Sequence, residues 1–242
     1  MAFGIHPVLQ ALRARRVTRL RVGARADRRI DEILSLAAAQ HVPVERVDAS
    51  ALDRAARGGA HQGVVADVES PREHTVESLV AAADGAPLIV VLDGVEDPHN
   101  AGAILRTVDA AGADGLVRQA RRAAALDGIA AKASAGAIAS VRIATVVNVA
   151  RAIDDLKAAG VWTIGLAGDA AEAYTDVDWT QPSAIVLGAE GTGLRRLVRE
   201  RCDRLVRIPM RGAVESLNVS VAAGVVLYEA VRQRINATDN GS

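Results

Sequence analysis

The sequence predicts an α/β protein in which a small α/β unit precedes a larger domain built on a mostly parallel sheet. Three observations carry that expectation. The run 88–92 (Leu-Ile-Val-Val-Leu) is continuously apolar, as strands are when helices cover both faces of a parallel sheet. Beyond it, apolar runs of strand length alternate with helix-period segments, the pattern of βα units. Three of those strands run into glycine-containing turns, at 165–168, 188–193 and 208–212. Parallel sheets hold ligands at the carboxyl ends of their strands, so these turns are where a site is expected.

Taken in order, 4–16 places Ile5, Val8, Leu9 and Leu12 on one face of a short helix. A strand at 20–22 precedes a helix from Asp27, whose apolar stripe is Ile30, Ile33, Leu34 and Ala37. A strand at 42–47, a helical turn or two at 49–56 and a strand at 64–68 complete a unit spanning 1–70. His61-Gln-Gly63 stands at the entry to that last strand and reads as structural. Glu69-Ser-Pro-Arg-Glu-His-Thr75 is polar and contains proline, so 71–84 reads as a linker and 85–235 as the larger domain. After the strand at 88–92, Pro98 is placed to open a helix over 100–111, with Arg106 and Asp109 on its polar side. Strands at 116–117, 141–147 and 162–166, an alanine-rich segment at 123–139 and a helix at 149–159 follow. A loop at 176–182 leads to the strand 185–187, a helix from about Leu194, the strand 205–208 and a last helix over 216–234. That helix is apolar at Val219, Ala222, Ala223, Val226, Leu227, Ala230 and Val231, wide enough to be buried against the sheet or a partner subunit. The polar tail 236–242 is expected to fray.

The chain has 242 residues, half of them hydrophobic, enough for one or two domains with a sizeable core. Net charge is zero, yet eight arginines (13, 15, 16, 19, 21, 25, 28 and 29) face one acid, Asp27, between Arg13 and Arg29. A solvated helix face explains part of this cluster. Like charges at such density repel unless a polyanion neutralises them, which points to nucleic-acid phosphate. Arg13, Arg15, Arg16 and Arg19 are the candidate RNA contacts there. Arg121 and Arg122, beside Arg118, form a second group. Aromatic residues are only 2%, so contact is expected through backbone and shape rather than base stacking. The single Cys202 excludes an internal disulfide, and no metal site is expected. With no leader and no apolar run of about 18 residues, the expectation is a soluble cytoplasmic protein with no membrane partner.

Common chemistries fail on their motifs. There is no Gly-x-Gly-x-x-Gly after a first strand, and Gly188-Ala-Glu-Gly-Thr-Gly193 has its glycines in another order. The phosphate-binding Gly-x4-Gly-Lys-Ser/Thr loop, the Gly-x-Ser-x-Gly elbow and His-Glu-x-x-His are absent. Glycines at three strand ends instead suit close approach of backbone amides to an uncharged, adenosine-like ligand.

Asp93-Gly-Val-Glu-Asp-Pro-His-Asn-Ala-Gly-Ala-Ile-Leu-Arg-Thr107 resembles the first motif of the SpoU (TrmH-like) branch of the SPOUT RNA methyltransferases. The stretches 185–194 and 208–222 resemble its second and third motifs, in the right order, and the likeness covers 88–234. Gly4-Ile-His-Pro-Val8 and His61-Gln-Gly-Val-Val-Ala66 resemble the small L30e-like substrate-binding domain of the ribosomal RNA guanosine 2′-O-methyltransferase subgroup. One departure is 117–120, which lacks the proline expected after that strand.

The resemblance implies a sheet whose carboxyl-terminal part is threaded as a trefoil knot, one of the rare exceptions to unknotted topology. It implies S-adenosylmethionine bound among the knotted loops, and a homodimer with the site near the subunit interface. It assigns Asn100, Arg106, Glu190, Ser216 and Asn218 to the catalytic region, and Gly168, Gly188, Ile208 and Leu217 to the cofactor. The implied reaction is 2′-O-methylation of a guanosine in large-subunit (23S) ribosomal RNA. A transfer-RNA ribose methyltransferase is the alternative, against which the N-terminal domain argues. An antibiotic-resistance methyltransferase and a non-catalytic RNA-binding paralogue are further ones. Simpler roles also exist: Asn100 and Ser216 as helix caps, Glu190 as a carboxylate bonding turn amides.

Overall fold

The alternating segments of the computed structural model resolve into two units, Met1–Arg72 and Glu73–Ser242. The structure describes residues 1–13, 15–24, 28–56, 59–68, 74–126 and 128–239. Arg25, Asp27, residues 69–70 of the expected first unit, 71–73 of the expected linker and 240–242 of the expected tail lie outside them.

The first unit runs β1 (Ala2–Phe3), α1 (Ile5–Arg13), β2 (Val17–Val22), α2 (Arg28–Ala39), β3 (Val44–Arg46), α3 (Ala49–Ala56) and β4 (Val64–Val68). Its sheet order is β1-β4-β2-β3, antiparallel on both sides of β4 and parallel between β2 and β3. Ile5, Val8, Leu9 and Leu12 of α1 pack with Ile30, Ile33 and Ala37 of α2. The two quoted motifs meet here. Gly4 takes φ +88°, and the Ile5 amide donates to Gln62 Oε1 at 3.1 Å. The Gly63 amide donates to His61 Nδ1 at 3.0 Å, and His61 Nε2 lies 3.1 Å from Asp53 Oδ1. His61 is therefore fully used in holding the turn into β4.

The second unit runs α4 (Val76–Ala81), β5 (Leu88–Asp93), α5 (Pro98–Ala110), β6 (Gly115–Gln119), α6 (Gly128–Ala133), β7 (Ile143–Val146), α7 (Val149–Ala158), β8 (Trp162–Leu166), β9 (Glu172–Ala173), β10 (Ser183–Gly188), α8 (Arg196–Arg201), β11 (Arg204–Arg207) and α9 (Val219–Asp239). Strand order is β7-β6-β5-β10-β8-β11-β9, and every pair is parallel. Because alternate side chains point to opposite faces, β5 sends Leu88, Val90 and Leu92 to one core and Ile89 and Val91 to the other. The first core is closed by α5 and α9, the second by α4, α7 and α8. Order within the sheet matters for function. β10 lies between β5 and β8, so the carboxyl ends of β5, β10, β8 and β11 stand side by side.

Several boundaries differ from expectation, each for a local reason. Within the expected linker 71–84, residues 76–81 form α4, capped reciprocally by Thr75 and Ser78, with Val76 and Leu79 buried. The helix expected from Leu194 starts at Arg196, because Leu194 packs against Gly165 and Arg195 is held extended. The last helix starts at Val219 rather than Ser216. Asn218 Oδ1 accepts from the Ser220 amide at 2.9 Å, and the Asn218 carbonyl takes the first helical bond from Ala222, which is N-cap geometry. At the other end α9 absorbs 236–239 of the expected tail. The loop at 176–182 supplies the largest fully buried side chain, Trp179, whose Nε1 donates to the Tyr174 carbonyl at 2.8 Å. Trp179→Ala is expected to destabilise by about 3–5 kcal/mol, read as a lower denaturant midpoint at unchanged m-value.

Candidate active site

The carboxyl ends of β8, β10 and β11 open into a cleft of about 590 Å³, within the range of roughly 300–1,000 Å³ typical of small-molecule sites. Glycine shapes it. A Cβ at Gly188 would stand 2.2 Å from the Gly193 carbonyl carbon, so only glycine lets the following loop fold back on itself. In that loop Ala189 and Gly193 exchange both backbone hydrogen bonds, at 3.1 and 2.9 Å, with Gly191 and Gly193 at φ +77° and +67°. Gly168 is the opposite case. No atom lies within 4 Å of a Cβ built there, and a side chain would enter the cleft that Gly168 lines.

Gly168, Gly188, Ile208 and Leu217 all line this cleft, as do Glu190, Ser216 and Asn218. Asn100 lies in the first turn of α5, buried, and lines an adjoining cleft of about 310 Å³ with Glu96 and Asp97. Ala189, Glu190 and Thr192 border both clefts. The helix cap at this end is Asp97, whose Oδ1 accepts from the His99 amide at 2.9 Å, which leaves the Asn100 side chain for another task.

Asn218 performs the joining. Its Nδ2 donates to Asn100 Oδ1 at 2.9 Å and to Glu190 Oε1 at 2.7 Å. The orientation of that amide follows from its surroundings: Oδ1 must face the Ser220 amide, which turns the two N–H donors toward the two oxygens. Three segments spread over 118 residues thus meet on one side-chain amide. Asn218 is both cap and connector, a combination that its place at a helix start does not announce. Ser216 is exposed in the loop before α9 and does not cap it.

Arg106 is exposed and lines neither cleft. Six residues of α-helix turn it about 240° from Asn100 and carry it roughly 9 Å along the axis. Among the expected RNA contacts, Arg13, Arg15, Arg19, Arg121 and Arg122 are exposed, and Arg16 is half-buried. Arg13 pairs with Glu32 at 3.1 Å on the surface, and the neighbouring Arg21 is neutralised by Asp67 at 2.7 Å. Arg118 is half-buried, and burial lowers its pKa. Burial also pushes the Cys202 thiol up to about 12, so it is no nucleophile near neutral pH.

Two pairs at the site escaped the sequence. Arg199 holds Asp169 bidentately at 2.8 and 2.9 Å across the cleft rim, which keeps the Asp169 carboxyl below its usual range. Asp93, fully buried at the end of β5, accepts from the Arg195 amide at 2.8 Å and from Arg195 Nε at 2.5 Å. No local pattern links residues 102 positions apart.

Residues 87–228 match the SpoU rRNA Methylase family, and residues 1–74 match the RNA 2'-O ribose methyltransferase substrate binding domain. A Burkholderia protein named 23S rRNA (guanosine-2'-O-)-methyltransferase RlmB is 48% identical over 236 residues, 96% of each chain. Its namesake from Pseudomonas aeruginosa is 43% identical over 238 residues, again 96% of each. Among solved structures, the SpoU methyltransferase AviRb from Streptomyces viridochromogenes in complex with the cofactor AdoMet aligns with a TM-score of 0.72 at 28% identity. That alignment covers 97% of this chain and 90% of AviRb. An AdoMet-bound rRNA methyltransferase from Sinorhizobium meliloti aligns with a TM-score of 0.68 at 27% identity, over 96% and 86%. With a family match spanning more than half its length and relatives near half identity end to end, the chain belongs to the SpoU rRNA methylase family.

Proposed function

We propose that this protein is an S-adenosylmethionine-dependent RNA 2′-O-methyltransferase acting in the cytoplasm on a guanosine of 23S ribosomal RNA. The observation that carries the reading is the meeting of Asn100, Glu190 and Asn218 at the wall shared by two adjoining clefts. The near-identical extent of the RlmB relatives supports the substrate. The described N-terminal unit favours ribosomal over transfer RNA, and we assign it the role of holding the RNA substrate, with Arg13, Arg15, Arg16 and Arg19 on phosphate.

The larger cleft fits the cofactor in volume and in chemistry. Gly168 leaves open space, and the strand-end loops offer backbone groups from Ile208 and Leu217 beside Gly188. When bound there, S-adenosylmethionine supplies a methyl group made electrophilic by its sulfonium. The chain's own work is to orient the ribose 2′-hydroxyl, help remove its proton and stabilise the oxyanion. Asn100 and Asn218 fix the Glu190 carboxylate at the border of the smaller cleft, which we assign to the target nucleotide, while Ser216 lines the larger cleft. Arg106 serves as a clamp on RNA phosphate and a stabiliser of alkoxide charge. A guanidinium is essentially always protonated and makes a poor base.

The same reading includes a homodimer. Val221, Tyr228 and Ile235 are more than half exposed at seven-residue intervals along α9, an apolar stripe that a second copy of the chain covers. α9 packs on α5, the helix that carries Arg106, and this reading sets Arg106 near the subunit boundary. Threading of the chain around the 188–195 and 208–218 loops as a knot belongs to this reading too, supported by the insertion of β10 between β5 and β8.

Calorimetry tests the cofactor assignment. Wild-type protein is expected to bind S-adenosylmethionine, and Gly168→Leu to lose at least about tenfold in affinity, or 1.4 kcal/mol, with its melting temperature unchanged. Equal affinities would place the cofactor elsewhere.

A further inference from the structure

We propose that Asp93 is a positioning residue for methyl transfer, setting the Glu190 loop through Arg195; the inference rests on the functional reading above and names how that site is held in place. Asp93 is the only fully buried charged side chain among the described residues. Burying a carboxylate is costly even when it is paired, and an apolar residue at a strand end would pack at less cost. What the carboxylate adds is direction. One oxygen accepts the Arg195 backbone N–H at 2.8 Å, and the other accepts Arg195 Nε at 2.5 Å, with the terminal guanidinium nitrogen also on it.

The sheet register supplies the second half of the argument. Asp93 is the strand partner of Gly188, the last residue of β10. The loop that leaves β10 at Gly188 therefore returns at Arg195 to the same residue, so both of its feet stand on Asp93. Between them the loop is closed on itself by the Ala189–Gly193 pair, with the Gly188 backbone against the Gly193 carbonyl. A small, internally braced loop with both ends fixed moves as one body, and Glu190 rides on it. Asp93 also begins the stretch that reaches Asn100 seven residues later, so the two ends of the Asn100–Asn218–Glu190 connection share one buried anchor.

The test compares wild type, Asp93→Asn and the double variant Asp93→Asn/Arg195→Gln. Three readouts are taken: turnover on RNA, melting temperature, and amide hydrogen exchange at 189–195. Asp93→Asn keeps an acceptor for the backbone N–H but leaves the guanidinium unpaired. It is expected to accelerate exchange at Gly193 and Arg195 and to lower kcat by about 10- to 100-fold, as sub-ångström to ångström displacements of reacting groups do. RNA KM should not move. The double variant removes both charges, so its melting temperature returns toward wild type while kcat stays low. A purely structural pair predicts the reverse: kcat recovers together with stability, and that result overturns the proposal. So do wild-type exchange and turnover in Asp93→Asn. If wild type itself neither binds S-adenosylmethionine nor methylates RNA, the functional reading fails, while unchanged exchange at 189–195 would separately refute the anchor.

Discussion

Asn218→Ala is expected to cut RNA methylation by about 10²-fold or more while costing only about 1 kcal/mol of stability, the usual value of a helix cap. The two effects come from opposite ends of one amide. Loss of Oδ1 strips the Ser220 amide of its partner at the exposed start of α9, where water replaces it. Loss of Nδ2 frees Glu190 from Asn100, and no other described side chain bridges them. Asn218→Asp separates the roles. It keeps the cap oxygen and improves the interaction with the helix dipole, yet it sets a carboxylate against the Glu190 carboxylate. Stability near wild type with turnover as low as in Asn218→Ala is the expected outcome, read by thermal melting and tritiated methyl transfer. Turnover within a few fold of wild type in both variants would reduce Asn218 to a cap.

Arg106→Lys is expected to lose most turnover while S-adenosylmethionine binding survives, because the charge remains and the planar fork does not. Arg106 is exposed and away from both clefts, so its effect should fall on RNA and chemistry rather than on the cofactor. The proposed dimer, with the site near its boundary, adds a sharper outcome. Arg106→Ala and Asn218→Ala chains are each expected to be inactive alone. Coexpressed, they should form mixed dimers in which one of the two sites has an intact Arg106 from one chain and an intact Asn218 from the other. Full activity of Arg106→Lys would remove Arg106 from the reaction. Absence of recovery in purified mixed dimers would confine Arg106 to its own subunit's site.

The sheet was legible where burial is two-sided. Leu88 to Leu92 reads as a central strand because every residue must be apolar there, and β5 is buried throughout. Helices with a wide stripe, α2, α7 and α9, were legible for the same reason. What escaped is what depends on distant partners. α4 is six residues long with two buried side chains, too short to show a period. Trp179 sits in a stretch with no periodicity and is buried because Gln233 and Tyr174 bond to its backbone and indole N–H groups. At the site, the glycines were readable from strand ends, since a tight turn demands them locally. The assignment of Gly168, Gly188, Ile208 and Leu217 to the cofactor came from the family resemblance rather than from any local pattern, and all four line the larger cleft. The anchoring of Arg195 on Asp93 was not readable, because either residue alone looks like an ordinary strand-end acid or helix-start base. Asn218 was readable as a site candidate but for an incomplete reason. The apolar pattern alone starts its helix at Ser216, three residues before Val219, which masks the capping role of Asn218.

The most direct test of the central claim is a map of ribose methylation across ribosomal and transfer RNA from a strain lacking this protein. One 2′-O-methylguanosine is expected to vanish from 23S ribosomal RNA, to return with the wild-type gene, and to stay absent with Asn218→Ala. A missing mark on a base, or one on transfer RNA alone, would contradict the account.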